Sequence, residues 1–157
     1  MKKILVACLI LLGLFLWTGL SEKCYAASSD SRFSVAGIHS PSQFKVFYRA
    51  LQDAVATDNR NKIAQNYIAY PLRVNIFNDK GIQNTIMIDS PEQLLESYAN
   101  IFGDAVRYAI ITQDLDDFFI NWKGVCVGRG EVWINADPAS SGEYQRFLIT
   151  NINLERN

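Results

Sequence analysis

The stretch "FFINWKGVCVGRGEVWIN", Phe118 to Asn135, decides the fold class, because its three glycines suit two incompatible architectures. As a phosphate-cradling loop it would open a helix in an α/β domain, whereas as extended chain it belongs to a sheet. A dinucleotide fingerprint needs G-x-G-x-x-G, and here Gly128 and Gly130 are followed by Trp133 where the third glycine should stand. A P-loop counted from Gly124 needs Gly-Lys at the positions of Arg129 and Gly130. The residues that follow, "EVWIN", are β-branched and aromatic, which suits a strand and supplies no helix N-terminus for a phosphate. The stretch is therefore read as sheet.

As one long strand it places Cys126, Gly128, Gly130, Val132 and Ile134 on one face and Val125, Val127, Arg129, Glu131 and Trp133 on the other. Glycines on one face allow close approach or a bulge, and a bulge shifts the parity beyond it. A second layout makes "GRG" a tight hairpin turn between two short strands. The long bent strand is the preferred layout. Cys126, flanked by valines, reads as a small buried hydrophobe. A thiol with an ordinary pKa of about 8.5 needs a neighbouring base or cation to react, and the single histidine, His39, has no local link to it.

Towards the N-terminus the period changes from strand to helix. In "HSPSQFKVFYRALQDAVATD", Ser40 caps, Pro41 suits the first helical position and Gln43 completes a capping box. Phe44, Phe47, Tyr48, Leu51, Ala54 and Val55 then repeat at helical spacing. A shorter helix in "DNRNKIAQNYIAY" is expected to stop at Pro71. Leu72, Val74 and Ile76 alternate with polar neighbours, and "NDKG" joins them to "IQNTIMI" as a hairpin. "DSPEQLLESYANIF" repeats the helix-start signal with Ser90, Pro91 and Gln93, and "GDAVRYAIITQ" adds a further helical segment. The acidic "DLDD", Asp114 to Asp117, reads as a solvated turn. Strands "DFFIN", the quoted glycine-rich stretch and "QRFLITNINL" complete the chain. The expected fold class is α+β, with N-terminal helices packed on a strongly bent antiparallel sheet over residues 40–157, preceded by a loose leader at 27–39.

Residues 1–26 have the layout of a secretory signal. Lys2 and Lys3 precede an apolar run from Ile4 to Leu16, and small residues at Cys24 and Ala26 favour a cut after Ala26. The expected location is periplasmic or secreted, with membrane contact only through the signal peptide. Cleavage removes Lys2, Lys3, Lys23 and Glu22, so the formal charge moves from −1 to −3, and no basic stripe remains to hold nucleic acid. Only Cys126 survives the cut, which excludes an internal disulfide.

The element order, with "YPLRVNI", "IMIDSPEQLLESYANIF" and "FFINWKGVCVGRGEVWI", resembles the nuclear transport factor 2-like superfamily. That cone-shaped fold is also found in ketosteroid isomerase and polyketide cyclases. More narrowly, the chain is similar to secreted bacterial proteins with "PLRV" and "GxGxxW" segments. The resemblance spans about residues 41 to 154 and implies a pocket between sheet and helices, with no particular reaction.

Residues suited to that pocket are Tyr67, Tyr70, Tyr98, Trp122 and Trp133, whose polar tips sit on apolar bodies, and the charges Arg73, Arg129 and Glu131. The bland reading of these charges is a paired cluster at the rim that holds strands together. No acid, base or nucleophile set is recognisable, and no metal or cofactor is implied. The leading expectation is a non-catalytic binding module for a small apolar ligand or a protein partner. An alternative implied by ketosteroid isomerase is an isomerase, dehydratase or cyclase with a pocket Asp, cast as Asp114 or Asp116, beside Tyr67 or Tyr98. A third is a homodimer through the outer sheet face, favoured if Phe77, Trp133 and Phe147 are exposed there.

Overall fold

Both Ser-Pro-x-Gln signals start helices in the computed structural model, which describes residues 31–140 and 144–155. The expected secretory signal and its cut after Ala26 lie outside the described residues. Ser40 Oγ accepts from the Gln43 amide at 3.4 Å, and Ser90 Oγ accepts from the Gln93 amide at 3.3 Å. The described helices are α1 (Arg32–Val35), α2 (Pro41–Ala56), α3 (Arg60–Asn66), α4 (Pro91–Glu96), α5 (Tyr98–Ile101) and α6 (Asp104–Thr112). The strands are β1 (Ile68–Asn78), β2 (Gly81–Ile88), β3 (Phe119–Asn121), β4 (Gly124–Val127), β5 (Val132–Ala136) and β6 (Phe147–Glu155).

The class is α+β, with helices packed on a strongly curled sheet that forms a half-barrel. Strand order is β2-β1-β6-β5-β4-β3. One expectation is corrected here: the sheet is mixed, because β6 lies parallel to β1 while the other pairs are antiparallel. Alternation along a strand reports which face is buried and carries no direction, so the pattern in "FLITNINLE" could not show this.

The quoted stretch is a hairpin, which corrects the preferred long strand. Gly128 to Glu131 form the loop between β4 and β5, with Gly128 at φ 67° and Gly130 at φ 124°. A bulge and a turn ask for the same glycines, and the turn won. The four-residue loop resets parity. Val125 pairs with Ile134 and Val127 with Val132, all four fully buried, while Cys126 pairs with Trp133 on the opposite face.

Two further boundaries differ. The helix expected to run to Pro71 ends at Asn66, and β1 begins at Ile68 and passes through a cis Tyr70–Pro71 peptide. The helix over 90–102 is interrupted at Ser97, with Ala99 exposed and Ile101 buried. Most of the expected leader also belongs to the domain: Phe33 and Ile38 are each 1% exposed, and the Phe33 ring lies 5.3 Å from that of Phe44. Gln145 ties this segment down, accepting from the His39 amide at 2.7 Å and donating to the Gly37 carbonyl at 2.8 Å. Phe33, Val35, Ala36 and Ile38 follow no sustained period, so the segment reads as loose in the sequence.

The space between sheet and helices is filled by aromatic rings. Phe44 contacts Tyr48, Phe118 and Phe147 at centroid distances of 6.2, 5.4 and 5.3 Å. Among the described residues no helix is long and apolar enough to cross a membrane.

Candidate functional site

Register brings one residue from each strand into a single row on the sheet face opposite the helices. Across the sheet the row reads Met87, Arg73, Asn151, Trp133, Cys126 and Phe119. Met87 and Phe119 are 42% and 62% exposed, Arg73 is exposed, and Trp133 and Asn151 are half-buried. The next row holds Thr85, Asn75 and Asn153, and the Asn153 amide donates to the Glu131 carbonyl at 2.8 Å.

These two rows share one hydrogen-bond network. Asn75, the buried polar residue of the sheet, donates through Nδ2 to Asn151 Oδ1 and Asn153 Oδ1, each at 3.0 Å, and accepts from Thr85 Oγ1 at 3.0 Å. Asn151 Nδ2 donates to Asn153 Oδ1 at 2.8 Å, and Asn153 Nδ2 reaches the Gly130 carbonyl at 2.6 Å. Every amide so bonded is held in one orientation before anything binds. At the end of the network lies a groove of about 400 Å³ between Phe77, Asp79, Arg129, Glu131, Asn153 and Glu155.

The charges are not arranged as a mutually paired cluster. Glu131 Oε2 accepts from the backbone amide of Arg129 at 2.6 Å, which pins the loop and leaves the guanidinium aside. Among the described residues neither the Arg73 nor the Arg129 guanidinium has a hydrogen-bond or ion-pair partner. Cys126 is 5% exposed, and burial, with Glu131 nearby, pushes its thiol pKa up and keeps it neutral. It is a buried packing residue directly across the β4–β5 pair from Trp133.

Of the eight residues expected to share a pocket, Arg73 and Trp133 stand in the outer-face row with Asn151 between them, and Arg129 and Glu131 line the groove at the β4–β5 loop. The other four lie elsewhere. Tyr67 is buried with its ring 5.5 Å from that of Phe47. Tyr70 donates to the Ala64 carbonyl at 2.8 Å, and burial, then Glu92, push its phenol up to about 12. Trp122 is 77% exposed in the β3–β4 turn, beneath Lys123. Tyr98 stacks on Phe102 at 4.8 Å, with the Arg60 guanidinium 5.0 Å from its ring centroid. Burial, then Asp58, push the Tyr98 phenol up to about 12, and its buried hydroxyl has no hydrogen-bond partner among the described residues.

The acidic cluster is a turn. Asp114 Oδ1 accepts from the Asp116 amide at 2.9 Å, and Asp116 pairs with Lys45 of α2. Among the described residues no three His, Cys, Asp or Glu side chains converge as a metal-binding group. Asn75, Asn151, Asn153, Met87 and Phe119 were missed as site residues. A partial signal is present: Asn151 and Asn153 are alternate residues of "TNINL", and Asn75 shares the polar phase of "LRVNI" with Arg73. In comparisons with known proteins, no family model, no curated protein and no solved structure matches this chain.

Proposed function

We propose that the chain is a secreted or periplasmic, non-catalytic binding module that recognises a protein partner through the outer face of its sheet. The observation that carries this reading is the row containing Arg73 and Trp133, set over the asparagine network and flanked by Arg129. Both guanidiniums lack partners among the described residues. Arg and Trp side chains are favoured binding anchors, and amides fixed in advance lower the ordering cost of binding. The secretory layout of residues 1–26 supports the location.

Helices packed on a curled sheet support the nuclear transport factor 2-like resemblance, and we keep that family as part of the proposal. A small apolar ligand is less well served. The outer groove is lined by Asp79, Glu131, Glu155 and Arg129, and aromatic rings fill much of the interior. The enzyme reading needs a carboxylate poised beside a tyrosine. Asp114 accepts from a turn amide and Asp116 pairs with Lys45, which argues for structural roles.

The test is retention of partners from the secreted or periplasmic fraction of the native host, comparing the parent with Arg73→Glu/Trp133→Ala. A control, Tyr108→Ala, alters an exposed residue of α6. Specific retention should fall at least about tenfold in the outer-face variant and persist in the control. Equal retention by all three proteins would remove the proposal.

A further inference from the structure

The two edges of the sheet are treated differently by the sequence. At one edge β3 is three residues long and α1 lies against it, with Phe33 of α1 packed on Phe118 at 6.3 Å between ring centroids. At the other edge β2 runs eight residues, "GIQNTIMI", without a charge or a proline. Among the described residues its only strand partner is β1. Ile82, Ile86 and Met87 are 60%, 42% and 42% exposed along it. The backbone N–H and C=O groups of an edge strand that point away from its neighbour form a template for another extended strand. Proteins ordinarily blunt such an edge with charge, proline or a cover. The one irregularity in β2 lies near its start, opposite Ile76 and Phe77, and Asn84 to Ile88 pair regularly with β1.

We propose that the β2 edge is an interface with a second copy of this chain, formed by antiparallel pairing of β2 with β2 across a two-fold axis normal to the sheet. This goes beyond the proposed function and uses a different surface. The argument for a second copy lies at the ends of the strand. Lys80 precedes β2 and Asp89 follows it, both exposed, and neither side chain has a partner among the described residues. Antiparallel self-pairing carries the Lys80 end of one copy to the Asp89 end of the other, at both ends of the contact. Parallel pairing would set like charges together.

Face parity fixes the register further. Thr85 shares the outer face with Asn75, whereas Asn84 and Ile86 lie on the helix side, opposite Ile76 and Val74. Centring the axis on Thr85 opposes it to the partner's Thr85 and sets Asn84 against the partner's Ile86, so like faces meet. In that register Lys80 stands one residue from the position opposite the partner's Asp89. The two curled sheets join edge to edge, and both outer-face sites point the same way.

The test is sedimentation equilibrium of the purified protein, over roughly 1 µM to 1 mM, with far-UV circular dichroism to confirm folding. A strand-edge contact of this size predicts a monomer–dimer equilibrium with Kd on the order of 10 µM. Ile86→Lys should weaken it more than about twentyfold. Lys80→Asp and Asp89→Lys should each weaken it about fivefold, and the two together should return it to within about twofold of the parent. That rescue is the signature of antiparallel self-pairing. A monomer throughout, or a dimer indifferent to Ile86→Lys, overturns the proposal. So does charge reversal without rescue, as does a dimer lost in Trp133→Ala yet kept in Ile86→Lys, which would place the contact on the outer face.

Discussion

Asn75 shows how one side chain couples fold and candidate site. It bonds three neighbours on the two flanking strands, so Asn75→Ala leaves the Thr85 hydroxyl and the Asn151 and Asn153 amide oxygens short of a partner. We expect a loss of about 1–2 kcal/mol, read as a lower urea midpoint with an unchanged slope. Asp58 acts on the same scale at another place. It holds a left-handed φ of 50° and bonds Arg60 and Arg107 through its two oxygens. Hydrogen bonding from Arg60, with Arg107 adding to it, draws the Asp58 carboxyl below its ordinary range. A lowered folded pKa contributes stability that is complete above the ordinary value and lost as pH falls through the folded one. The melting temperature should therefore drop on acidification below about 4, and that part of the profile should flatten in Asp58→Asn. A profile that is the same in both proteins would deny Asp58 this role.

At the scale of elements, sequence signals were clearest where a residue has one physical use. Ser40 with Gln43 and Ser90 with Gln93 have little to do but cap, and both start helices as read. "GVCVGRGEV" was ambiguous because glycines serve bulges and turns alike, and the choice reversed the expected face of Val132 and Ile134. Gly124 makes a close backbone approach of the kind that the sequence reading attaches to Gly128 and Gly130. It has φ 126°, and a Cβ there would stand 2.6 Å from the Ile134 carbonyl oxygen. Gly124→Ala should cost at least about 2 kcal/mol, measured by chemical denaturation, because backbone must move to admit it. A neutral result would show that the β4–β5 hairpin is set differently from the geometry described.

For the whole molecule, class was legible from element order, while sheet direction was not, because β6 returns beside β1 through contacts that local pattern does not encode. The expected pocket between sheet and helices was not legible in the same sense: Arg73 and Trp133 stand in a row on the outer face, and Arg129 and Glu131 line a groove at the β4–β5 loop. Tyr67, Tyr70 and Tyr98 have the same chemistry but are consumed by packing, a distinction that only tertiary contacts make. The asparagines escaped notice because an amide gains meaning as a site residue only when its neighbours across the sheet are known. Oxidative side-chain footprinting of the protein, with and without the fraction it retains, tests the outer-face claim most directly. The account predicts protection of Trp133, Met87 and Phe119 with Tyr108 of α6 unchanged; protection of Tyr108 with Trp133 labelled as before would contradict it.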